Sequence, residues 1–91
     1  MAQFLDLRTE QVYLTRFHQK LTGKVCVAAH EVMHLLIAAR SLQDVGVIGR
    51  IHRLKVARFG LHAEGRWFVT FVWDDLSGAH SLLLERLKIG S

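Results

Sequence analysis

Arg66-Trp67-Phe68-Val69-Thr70-Phe71-Val72-Trp73 is the stretch that decides the fold. Trp67, Val69, Phe71 and Trp73 alternate with Phe68, Thr70 and Val72, which is the period of a β-strand. Both sets are largely apolar, so the stretch reads as a central strand covered, at least in part, on both faces. Glu64-Gly65 before it reads as a tight hairpin turn, and 74–78 after it as a longer one. Flanking strands are expected over about 54–63 and 79–87.

Upstream of about residue 45 the spacing is helical. Within 9–21, Tyr13, Phe17 and Leu21 fall at i, i+4 and i+8, a single helical stripe. Thr22-Gly23 punctuates it. Within 24–40, Val25, Ala29, Val32, Leu36 and Ala39 lie within about 40° of one line at 100° per residue. Ser41, Asp44 and Gly46 are read as its end. The fold class expected is α+β, two N-terminal helices packed on a small antiparallel sheet in one domain over 1–91.

Composition bounds the function. A chain of 91 residues with 51% hydrophobic and 22% charged side chains has the makings of one packed core and is not a disordered tail. The single cysteine, Cys26, excludes an intrachain disulfide and a four-cysteine zinc module. The most apolar stretch, 25–39, is broken by His30, Glu31 and His34 and is shorter than the roughly 18–20 residues that span a bilayer. Asp6 and Arg8 stand where a secretory signal would run apolar, so a cytoplasmic protein without a membrane partner is expected.

His30-Glu31-Val32-Met33-His34 spells H-E-x-x-H on an expected helix. Residues four apart lie about 40° apart on a helix, so two imidazoles can share a zinc ion while the Glu polarises a bound water. A catalytic site also needs a third ligand and a cleft. His52, His62, His80, Glu64 and Glu85 are candidates, and no spacing selects among them. The pair sits roughly 140–180° from the core stripe. The expectation is therefore no metal and no cofactor, with a minimal zinc protein as a lesser alternative. The same face carries Val27, Ile37 and Ala38, and an apolar outer face suits a protein partner or a second copy of the chain.

Lys and Arg number 12 against 8 Asp and Glu, a formal net charge of +4. That excess is compatible with an acidic partner, RNA or an acidic protein segment. The cations gather in the second half as Arg50, Arg53, Lys55, Arg58, Arg66, Arg86 and Lys88, with His52, His62 and His80 among them. RNA cleavage without a metal needs a base for the 2′-hydroxyl, cations for the phosphorane and an acid for the leaving oxygen. Lys55 heads the first sheet strand, Arg66 opens the central one and Lys88 closes the last. The plainer alternative is a set of rim charges that discourage edge-to-edge pairing. Trp67, Phe71 and Trp73 read as core. Phe68, on the other face, is the one aromatic placed to stack on a nucleobase.

Ala38-Ala39-Arg40-Ser41-Leu42-Gln43-Asp44-Val45, Ile51-His52-Arg53-Leu54-Lys55, Trp67 to Trp73 and Gly78-Ala79 occur in the order and approximate spacing of one known family. The run 36–87 is similar to the HigB-type toxins of the RelE/ParE superfamily. The resemblance implies a small basic toxin that enters the ribosome and cuts mRNA there, neutralised by a helix-turn-helix antitoxin. Of the residues here it carries over Lys55 as a catalytic cation; together with the basic second half, the expected catalytic cations are Lys55, Arg66 and Lys88, and the expected RNA-binding residues Arg53, Arg58, Phe68 and Arg86. The chain departs from the family at several positions. The family's Gly-Asp-Arg-x-Gly loop is shortened to Val56-Ala57-Arg58. Phe68 stands for a central-strand Arg, Glu64 for a preceding Arg, and Arg86-Leu87-Lys88 for a closing Asp-Tyr-His. A weakened toxin-fold binding module, held by an antitoxin or by its own copy as a homodimer, is the alternative, and a gyrase poison a more distant one.

Overall fold

The computed structural model describes residues 3–55 and 58–88, with the backbone alone at Lys55. Among these, three helices precede four strands. They are α1 (Leu7–Thr15), α2 (Gly23–Ala38), α3 (Leu42–Ile48), β1 (Ile51–Lys55), β2 (Arg58–Glu64), β3 (Trp67–Asp74) and β4 (Gly78–Arg86). The strands form an antiparallel meander in the order β1-β2-β3-β4, so the fold is α+β with its helices N-terminal to the sheet.

Each helix begins on a side-chain cap that satisfies an otherwise orphaned amide. Asp6 accepts from the amide of Thr9 at 2.8 Å, Thr22 from Val25 at 3.3 Å and Ser41 from Asp44 at 3.1 Å. Helix α1 stops at Thr15 because Arg16 turns left-handed at φ 61° and returns its amide to the Val12 carbonyl. The expected stripe is cut short there, and Phe17 lies outside the helix, 58% exposed.

Helix α3 corrects the expectation of two helices. Ser41 and Asp44 start it rather than ending its predecessor: Asp44 Oδ2 accepts from the Arg40 amide while the Ser41 hydroxyl accepts from the Asp44 amide. That reciprocity is close to a capping box. The expected single strand over 54–63 is likewise two strands, β1 and β2, on either side of residues 56–57, which lie outside the described residues.

One face of the sheet carries the core. Ile51, Leu61, Val69 and Leu84 form one row across it, and Phe59 and Phe71 pair in the next. Val25, Cys26, Ala29, Met33 and Leu36 of α2 close over these rows, with Val12 from α1 and Val45 from α3. Keeping Ala79, Leu82 and Leu84 all on that face requires an extra residue in β4. The register shifts there between Thr70 and Val72, and Ser81 takes φ 54°. This β-bulge holds the apolar phase of the strand constant across an odd spacing.

The outer edge of β4 is also covered. Residues 3–5 run parallel to it, with the Leu5 amide on the Leu82 carbonyl at 2.9 Å and the Leu82 amide on the Gln3 carbonyl at 2.8 Å. Thr9 Oγ1 accepts from the Leu84 amide, and Arg8 donates to the Leu84 carbonyl. Pairing of these groups removes an edge that would otherwise template association.

Candidate functional site

The second face of the sheet, away from the helices, carries the chemistry. By register, His52, Gly60, Thr70 and Leu83 make one row across all four strands, and His62, Phe68 and Glu85 make the next. An ideal Cβ on Gly60 would stand 3.4 Å from Leu54 Cδ1 and 3.8 Å from Leu87 Cδ1, so the two leucines close over its bare backbone. They supply an apolar floor beside Thr70 and His52.

A hydrogen-bonded relay crosses this face. Arg58 Nη2 on β2 donates to Thr70 Oγ1 on β3 at 2.8 Å and to the Ser81 carbonyl on β4 at 3.1 Å. Thr70 is fully buried, and its hydroxyl lies 2.6 Å from Glu85 Oε2 and 3.3 Å from the Leu83 carbonyl. A hydroxyl has one proton to give, and the short contact to the carboxylate is the charge-assisted one. Thr70 therefore accepts from the guanidinium and donates to the carboxylate. The bulge at Ser81 supplies the carbonyl that takes the second N–H of Arg58 Nη2.

A concavity of about 960 Å³ spans the face, with Arg50, His52, Arg58 and Lys88 among its charged and titratable lining and Glu85 as the acid. Leu54, Leu83 and Leu87 are among its apolar lining. A smaller concavity of about 280 Å³ adjoins it through Leu87 and Lys88, and Arg66 and Arg86 complete its wall. Lys88 thus belongs to both.

The residues picked out from sequence divide accordingly. Arg53, Arg58 and Lys88 line the larger concavity, and Arg66, Arg86 and Lys88 the smaller. Arg53 pairs with Phe59, which gives it the parity of the helix-covered face. Arg86 also stands over the Trp67 ring at 5.8 Å, with Arg8 at 5.1 Å. The side chain of Lys55 lies outside the described residues, and its backbone pairs with Arg58 at the end of β1. Phe68 is only 6% exposed, with the His52 and His62 rings edge-on at 5.4 and 5.3 Å. Its ring is packed rather than presented for base stacking.

Thr70 and Glu85 form part of the site without having been assigned a role in it from sequence, where Arg50 and His52 stand only within the general gathering of cations and imidazoles. The parity of β3 put Thr70 beside Phe68 on the second face. Glu85 joins them only once the β4 bulge fixes which residues of that strand share the face.

His30 and His34 have a different task. His30 Nδ1 lies 3.1 Å from the Val12 carbonyl, and His34 Nε2 3.3 Å from the Tyr13 carbonyl. The His34 ring stacks on Tyr13 at 4.3 Å with 14° between planes. Both carbonyls belong to the last turn of α1: His34 supplies a donor to that of Tyr13, and His30 adds a second to that of Val12, which already accepts from the Arg16 amide. The face expected to point outward is in this part the seat of α1. Among the described residues no group of three or more His, Cys, Asp or Glu side chains is placed to hold a metal ion. No helix among them is long and apolar enough to cross a membrane.

No protein-family model and no curated protein matches the chain.

Proposed function

We propose that the protein is a HigB-like toxin, an endoribonuclease that cuts mRNA on the ribosome and binds it across the second face of the sheet. The observation that carries this reading is the gathering of Arg50, Arg58 and Lys88 with His52 on one concavity of about 960 Å³. Pockets of a few hundred to about 1,000 Å³ suit a ligand the size of a nucleotide. Cations supply charge compensation for a phosphorane, and His52 brings an imidazole, the side chain that most often serves general acid–base catalysis. Arg66 and Arg86 extend the positive surface past Lys88, a path for the RNA backbone. The antitoxin expected from the resemblance is the partner proposed to hold the toxin silent.

Expression in a bacterial host, with mRNA 5′ ends mapped in growing cells, tests the proposal. New ends within translated frames are expected, reduced in Lys55→Ala and in Lys88→Glu. Harmless expression with intact mRNA removes the nuclease claim.

A second reading has its own observation. Leu7, Leu14 and Leu35 on α1 and α2 are 82%, 67% and 55% exposed. A binding module held by an antitoxin or by its own copy would use such side chains. Stable co-purification with the product of the neighbouring gene, without RNA cleavage, would favour it.

A further inference from the structure

We propose that the larger concavity takes a guanine base of single-stranded RNA, with Glu85 accepting hydrogen bonds from the guanine N1–H and 2-amino group. The inference rests on the second face being an RNA site and adds which base it admits.

A carboxylate among Arg50, Arg58 and Lys88 repels phosphate, so its presence there calls for a different part of the nucleotide. Thr70 fixes it. The hydroxyl at 2.6 Å, itself held by Arg58 at 2.8 Å, restricts its rotamer. A carboxylate so held is a positioned acceptor. Thr70 is its one hydrogen-bond partner among the described residues, and an ionised carboxylate has about four lone-pair sites. Acceptor capacity therefore remains for a ligand.

The neighbours suit a base. Leu54, Leu83 and Leu87 offer apolar surface to its faces, while Arg50 and Lys88 offer charge to the flanking phosphates. Hydrogen-bond chemistry then selects among bases. Guanine presents two adjacent donors on its Watson–Crick edge. Adenine and cytosine each present one amino group beside a ring-nitrogen acceptor that a carboxylate repels. Uracil presents a single N–H between two carbonyls. Only guanine matches two acceptor oxygens side by side.

The experiment uses fluorescein-labelled pentauridylates with G, inosine, A, C or U at the centre, bound to the full chain at one fixed salt concentration. The G oligomer is expected to bind about tenfold more tightly than the A and U oligomers, with inosine, which lacks the amino group, in between. Glu85→Gln keeps an acceptor for Thr70, and its melting temperature checks that the fold is intact. In that variant the preference should fall to within about twofold while affinity for the all-U oligomer holds or rises. Equal affinity for all five, or a guanine preference that survives Glu85→Gln, overturns the inference. Guanine-selective binding with intact cellular mRNA would retain it and remove the nuclease reading. Cleaved mRNA without base preference would do the reverse, and no binding to any oligomer would remove both.

Discussion

Arg58 reaches from β2 over the whole width of β3 to hydrogen-bond the Ser81 carbonyl on β4, 3.1 Å away, at the residue where β4 bulges. One guanidinium therefore ties three strands and fixes the site's geometry on the face that carries it. Arg58→Met keeps the apolar stem and removes both hydrogen bonds. A loss of about 2 kcal/mol is expected from urea unfolding, since hydrogen bonds to charged groups are among the stronger ones. Both bonds leave one Nη2 aimed by the planar guanidinium, whereas the lysine ammonium is shorter and freely rotating, so Arg58→Lys should recover less than half of the loss.

Thr70 is the hinge of the relay, fully buried, with a hydroxyl that serves two charged groups. Thr70→Val preserves shape and leaves both without that partner. The expected cost is about 1–3 kcal/mol, and Thr70→Ser should restore most of it. Equal stability of the valine and serine variants would contradict the hydrogen-bond assignment.

Ser81 holds φ 54°, which costs a side-chain-bearing residue roughly 1 kcal/mol relative to glycine. Ser81→Gly should be at least as stable as the parent, and Ser81→Val should fall about 1–2 kcal/mol below the glycine variant. If the two substitutions prove equivalent, the bulge is not anchored by that residue.

His34 caps α1 and stacks on Tyr13. His34→Ala should lower stability by about 1 kcal/mol through the lost contact. A chelator should leave the melting temperature of the parent where it was. A chelator-sensitive melting temperature, together with stoichiometric zinc lost in His34→Ala, would restore the metal reading.

Much of this architecture was legible in residue spacing. Trp67, Val69, Phe71 and Trp73 gave the central strand and its buried side within a residue of the observed bounds, and Val25, Ala29 and Leu36 gave the buried line of α2. What spacing missed was punctuation. Ile51, Phe59 and Leu61 keep one parity on either side of the break between β1 and β2, so alternation alone does not mark it, and spacing reads one long strand there. Ser41 and Asp44 are good helix starters as well as breakers, and local sequence alone does not say which role a side chain takes. The candidate site was legible as a set of cations and not as a place. Arg58 and Lys88 meet on one concavity, Arg66 and Arg86 on its neighbour, and Phe68 is packed between two imidazoles. Glu85 was hidden because, counting on from Ala79, a bulge of one residue changes the parity of everything after it in the strand.

The most direct measurement is amide chemical-shift mapping of the full chain on titration with a short single-stranded RNA. Shifts should concentrate at His52, Leu54, Gly60, Thr70, Leu83, Glu85 and Lys88, and disappear at high salt as phosphate contacts are lost. Shifts confined to α1 and α2, or an unchanged spectrum at low salt, would contradict an RNA site on this side of the sheet.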